Sequence, residues 1–223
     1  ECETFLGAAG GMDVEDIMGR IQEVALPPPV GFSPLVVVDT FQGLQEMAQA
    51  LSRKEVVGVD IEQHSQHSYL GFVCTLQLST AAGVDYLVDA IRLHDDMVEC
   101  GALHAFFSSP LVCKVFHSAN NDIAWLQRDF GIITVNCFDT CLAAGALGLP
   151  KRSLQSLLQN YCDVGTDKSF QRADWRRRPL PPPMVQYART DSHYLPFLRG
   201  AMCRQLVDVQ GGGALTTLLV RCH

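Results

Sequence analysis

The sequence predicts an α/β domain, a mixed β-sheet flanked by helices. Two observations carry that prediction. Apolar, β-branched runs of strand length come first, and helix-periodic segments alternate with shorter strand-like runs later. The links between the early runs are too short for crossovers, so those strands pair as hairpins in a sheet that is not purely parallel. With 223 residues, 48% of them hydrophobic and 18% charged, the chain can bury one full-sized core.

Residues 1–34 differ from the rest of the chain. Gly7, Gly10, Gly11, Pro27, Pro28, Pro29 and Pro34 frame one short amphipathic stretch over 14–24. Proline fixes φ and removes amide donors, so an extended arm running over the surface is expected there, with the folded domain over 35–223. The first strand is expected over 35–38. Thr40 can then cap a helix over 41–51, with Leu44, Met47, Ala48 and Leu51 on one face.

Strands are next expected over 56–62, 74–79 and 85–88. In the second, Cys74, Leu76 and Leu78 alternate with Thr75, Gln77 and Ser79. A helix is expected over 96–107, a strand over 112–116 and a helix over 120–129 that Gly131 ends. A short strand at 137–138 leads into a helix to 147, and Ser153 caps another to 161. After an irregular stretch over 162–183, a last helix runs from 184 to about 206, kinked at Pro196.

Composition narrows the function classes. No apolar run approaches the ~18 residues of a membrane span. The start, ECETFLGAAGG, lacks the basic and apolar regions of a signal peptide and does not begin with Met, which points to a piece of a longer protein. Net charge is −7, unusual for a chain that holds nucleic acid by charge alone. Basic residues nevertheless cluster at Lys168, Arg172 and Arg176, Arg177 and Arg178. The nine cysteines contain no C-x-x-C pair and sit mostly in apolar runs, so buried free thiols are expected rather than a zinc site.

Four acids and a tyrosine stand apart. Asp60 and Glu62 are two apart in VVGVDIE, so one strand face carries both, and two carboxylates on a core-like strand are costly without a cation against them. Asp122, in HSANNDIAW, shares a helix face with Trp125 and Leu126. By itself it also reads as a solvated first-turn acid. Tyr187 and Asp191, in YARTDSHY, are one helical turn apart, a common spacing. Four carboxylates converging on one point would need cations between them, and a pair of hard divalent ions is a standard device for cutting phosphodiesters.

The words around these residues resemble the DEDD superfamily of 3′→5′ exonucleases, in its tyrosine-bearing branch, over about residues 35–207. VDIE, HSANNDIAWL and YARTDSHY match its three motifs, and DKSFQRADWRRRPLP resembles the ribonuclease D word before the last helix. DIEQHSQHSYLGFVCTLQLST, KVFHSANNDIAWLQRDFGI and NCFDTCLAAGALGL resemble the ribonuclease D-like catalytic subunit of the eukaryotic nuclear RNA exosome. Three departures stand out. The family often has His where this chain has Gln63, with His64 next. Thr190 and Ser192 are milder changes. The helical HRDC domain that usually comes after the last motif is absent before His223.

The resemblance implies a ribonuclease H-like mixed sheet flanked by helices. It also implies that Asp60, Glu62, Asp122 and Asp191 bind two divalent ions, Mg²⁺ or Mn²⁺, and that Tyr187 orients the attacking water or takes its proton. Gln63, His64, Trp125 and Lys168 would contact the RNA, Trp125 beside the terminal base and Lys168 at a phosphate. His117 and His193 read as structural. The implied activity is trimming of single-stranded RNA from its 3′ end to 5′-nucleoside monophosphates. It would act with exosome subunits in the nucleus, nucleolus included, as a monomeric catalytic core. A DNA 3′→5′ exonuclease and a catalytically silent RNA-binding module are the competing expectations.

Overall fold

A computed structural model describes residues 24–65 and 68–210. Six strands form one mixed sheet: β1 (Leu35–Val38), β2 (Val56–His64), β3 (Phe72–Thr80), β4 (Asp85–Asp89), β5 (Cys113–Phe116) and β6 (Cys137–Asp139). Their order is β1-β4-β3-β2-β5-β6. The early strands pair as antiparallel hairpins, β2 with β3 and β3 with β4. β1 lies parallel to β4, β5 to β2 and β6 to β5.

The helices are α1 (Phe41–Leu51), α2 (His94–Glu99), α3 (Gly101–Ser108), α4 (Asn120–Phe130), α5 (Thr140–Ala146), α6 (Leu154–Cys162), α7 (Pro182–His193) and α8 (Leu195–Gln210). Their ends obey local chemistry. Thr40 Oγ1 accepts from Gly43 N (3.2 Å) to cap α1, and Ser153 accepts from Ser156 N to cap α6. Gly131, at φ 67°, closes α4 in the left-handed region. Pro182 opens α7, where its missing N–H costs nothing.

Apolar side chains fill both faces of the sheet. Val57, Val59, Ile61, Leu76 and Leu78 pack with α1, α3 and α4 residues on one side. Val56, Val115 and Phe138 pack with α5, α6 and α8 on the other. A smaller cluster around Trp175, Cys74, Leu87 and Met184 ties the irregular stretch and α7 to the sheet.

Four expectations needed correction. The helix foreseen over 96–107 is two helices, because Cys100 turns extended (ψ 90°) and Gly101 restarts the next. The last helix is broken rather than kinked: α7 ends at His193 and α8 starts at Leu195, so Pro196 falls in the first turn of a new helix. Cys74 does not face with Leu76 and Leu78. Glu62 pairs with Thr75 but Gln63 with Val73, so Cys74 is the extra residue of a bulge and packs near Trp175 instead. The irregular stretch contains a short 3₁₀ turn, Lys168–Arg172.

The proline-rich segment does more than cross the surface. Val24 and Val30 are buried in the second core, and a buried polar network fastens its backbone. Arg189 Nη2 donates to Ser33 O (2.7 Å) and its Nε to Asp85 (2.9 Å). His193 lies 2.8 Å from both Asp85 and Pro28 O, the structural part expected of it. The amphipathic stretch before Val24 lies outside the described residues, as do Cys2 and Cys222. The seven described cysteines form no disulfide, and five are buried. Among the described residues, no helix is long and apolar enough to cross a membrane.

Candidate active site

The strand face chosen by sequence parity is the one that meets the last motif. Val56, Gly58, Asp60 and Glu62 alternate on the side of β2 against which α7 and the start of α8 pack. Contact is closest at Gly58. A Cβ there would stand 2.4 Å from Ser192 O and 3.0 Å from Pro196 Cδ. Pro196 has no N–H to give the Ser192 carbonyl, and the bare glycine lets that carbonyl sit against the strand. One residue before Ser192, Asp191 is thereby delivered to Asp60 and Glu62. Ligand oxygens of Asp60, Glu62 and Asp191 lie within 4.8 Å of one another.

Asp122 stands outside that trio but within its electrostatic reach. Its charge is the largest neighbouring contribution raising Asp60, and it also raises Glu62. Burial is the leading cause throughout. It holds Asp60 and Glu62 well above the usual carboxylate range, lifts Asp191 to about 6 and, with Asp139 behind it, lifts Asp122 to about 7. Among the described residues no lysine or arginine is paired with any of the four. The donor set is oxygen only and its negative charge is uncompensated by the protein, which fits a hard divalent cation.

Tyr187 faces Asp191 one turn on, and the two shift each other's proton affinity. Burial, then the charges of Asp191, Glu62 and Asp60, push its pKa far up, so the group stays a phenol while the carboxylates are ionised. Its ring leans on Phe170 (5.8 Å) and Trp175 (6.0 Å), which makes the irregular stretch a wall of the site.

A cavity of about 490 Å³ opens over the acids. Asp60, Glu62, Tyr187 and Asp191 line it, together with His117, Ser118, Cys141, Arg152, Gln155, Thr166 and Gln171. His117 Nδ1 lies 2.8 Å from Thr140 Oγ1, a structural contact at the cavity edge.

Of the expected RNA contacts, Gln63, His64 and Trp125 are not among the residues lining this cavity. Gln63 is exposed beyond the bulge, and the next residue, His64, is buried 3.7 Å from Asp174. Trp125 is partly buried. Arg128 covers its ring at 4.2 Å, and its edge fills the space left by Gly71 (φ 64°), where a Cβ would meet Cη2 at 2.5 Å. Lys168 opens the 3₁₀ turn, and its side chain lies outside the described part of the structure. Of the arginine run, Arg178 forks onto Asp89 and Arg176 onto Asp174, so these two are salt-bridged.

Sequence reasoning missed Asp139, Gln77 and Arg152. Asp139 is buried and accepts from Ser118 N (3.0 Å) and Ala119 N (2.9 Å), clamping the turn before α4, and from Cys141 N (2.7 Å) at the start of α5. An aspartate ending a strand just before a helix is a cap signal that could have found it. Gln77, opposite Asp60 on β3, donates to Thr75, while its buried Oε1 has no hydrogen-bond partner among the described residues.

The 3′–5′ exonuclease family matches residues 35–207. The chain is 50% identical over 171 residues to Protein RRP6-like 3 of Arabidopsis thaliana, covering 77% of this chain and 19% of that protein. It is 43% identical over 171 residues to the exosome complex exonuclease RRP6 of Saccharomyces cerevisiae, covering 77% and 23%. The fold is similar to the crystal structure of the catalytic core of RRP6 from Trypanosoma brucei, with TM-score 0.78 and 34% identity, covering 91% of this chain and 54% of that one. The chain thus spans about a fifth of the length of these curated relatives.

Proposed function

The chain belongs to the 3′–5′ exonuclease family, and from that premise we propose that it trims single-stranded RNA from the 3′ end, releasing 5′-nucleoside monophosphates. The observation that carries this reading is the convergence of Asp60, Glu62 and Asp191 within 4.8 Å beside a protonated Tyr187, on the floor of an open cavity.

Asp60, Glu62, Asp122 and Asp191 hold the cations, and two Mg²⁺ or Mn²⁺ ions fit the all-oxygen set. Bound there, such ions supply an activated water and charge stabilisation at the leaving 3′ oxygen. The chain's own residues do the rest. The phenol of Tyr187, held beside Asp191 by its aromatic neighbours, orients the attacking water. The cavity admits a splayed terminal nucleotide, which a paired duplex end resists giving up. Gln63, His64, Trp125 and Lys168 contact the bound RNA. The resemblance to RRP6 proteins supports action with exosome subunits in the nucleus and nucleolus, with a monomeric catalytic core.

Incubation of matched RNA and DNA oligonucleotides with Mg²⁺, with identification of the products, tests this. Release of ribonucleoside 5′-monophosphates, faster than their deoxy counterparts, is expected. Preferential digestion of DNA would make it a DNA exonuclease, and RNA binding with no shortening at any Mg²⁺ or Mn²⁺ level would make it a silent binding module.

A further inference from the structure

Arg152 has no part in the metal-dependent step. Among the described residues lining the cavity over the acids, it is the one with a permanent positive charge. It lines the same cavity as the carboxylates yet pairs with none of them, and among the described residues it makes no ion pair. It is exposed, so its guanidinium is free to meet a ligand in the cavity. The guanidinium lies against Gly145 of α5, where a Cβ would come within 2.8 Å of Nη1 and 3.3 Å of Cζ. An added Cβ at 145 would push the tip of this flexible side chain aside. Gln155, which lines the same cavity, donates its Nε2 to Thr166 O (3.3 Å).

We propose that Arg152 binds the phosphate immediately upstream of the scissile one, making its part of the cavity lining the second-phosphate subsite. This rests on the exonuclease reading. The carboxylate floor repels RNA except where cations neutralise it, and those cations engage the scissile phosphate. The next phosphate enters the same cavity without a partner unless the chain provides one. A planar guanidinium, weakly hydrated and not engaged elsewhere, recognises a phosphate through paired N–H donors. Arg152 is thus a residue that senses whether the substrate is longer than two nucleotides.

The test compares a short oligoribonucleotide with a dinucleoside monophosphate, which has a scissile phosphodiester but no upstream phosphate. In Arg152→Ala, the ratio of kcat/KM for the oligomer over that for the dinucleotide is expected to fall about tenfold, mostly through KM. The slope of log kcat/KM against log salt on the oligomer should become shallower by ~0.7, one phosphate contact in a single strand. Arg152→Lys should keep the slope and recover part of the ratio. If the wild-type chain shortens RNA and Arg152→Ala leaves both ratio and slope where they were, the subsite assignment is overturned. A wild-type chain that shortens no RNA overturns the exonuclease reading itself, and the subsite with it.

Discussion

Asp60 and Glu62 are carboxylates that the fold has taken out of water without supplying a cation of its own. Raised pKa values express that cost, and it has a sign. A carboxylate raised in the folded state retains protons that the unfolded chain has lost. The stability linked to it is present below about pH 4 and is lost as pH climbs through about 6 for Asp191 and about 7 for Asp122. Metal-free Asp122→Asn should therefore gain thermal stability over wild type as pH rises from ~5 to ~8, by a few degrees in Tm. A gap that stays constant with pH would contradict the shift. The same charge predicts catalysis. Glu62→Gln removes a charged ligand while keeping the side chain's shape, and it should lower kcat by at least ~10²-fold with the fold intact by circular dichroism. The Asp139 carboxylate, held by Ser118, Ala119 and Cys141 amides, also steadies the turn that presents Asp122.

At the scale of elements, the site depends on how closely α7 lies against β2. Gly58 and Pro196 are joint causes: one leaves room, and the other leaves the Ser192 carbonyl without its helical donor. Gly58→Ala should destabilise the protein by about 1–3 kcal/mol, read as a lowered urea midpoint, since the contact is with backbone that cannot rotate away. It should also depress activity beyond that loss, because Asp191 moves with Ser192. Near-normal activity would mean that α7 can shift without opening the carboxylate cluster. The bulge at Cys74 is the second such device. It sends Gln63 outward and buries His64, so one extra residue in β3 separates the metal-facing part of β2 from its exposed end.

For the whole molecule, cation binding and folding are linked. Because ions bind the folded cluster and not the dispersed acids of the unfolded chain, Mn²⁺ in ~100-fold excess over its Kd should add about 2.7 kcal/mol to stability. That gain should read as a raised Tm which Asp191→Asn abolishes. Much of this architecture was legible in the sequence because local signals agreed with the tertiary answer. Thr40 and Ser153 capped their helices, Gly131 ended α4, and strand parity put Asp60 and Glu62 on one face. What was not legible depended on partners distant in the chain. The Cys74 bulge is set by pairing with β2. The burial of Val24 and Val30 goes with the Asp85, Arg189 and His193 network across 165 residues. The central claim is that these converged carboxylates cut RNA from its 3′ end. A time course on 5′-labelled single-stranded RNA, run with Mg²⁺, with EDTA and with Glu62→Gln, tests it most directly. The account predicts a ladder descending from the 3′ end that both EDTA and the substitution abolish. A ladder that survives either one, or shortening from the 5′ end, would contradict it.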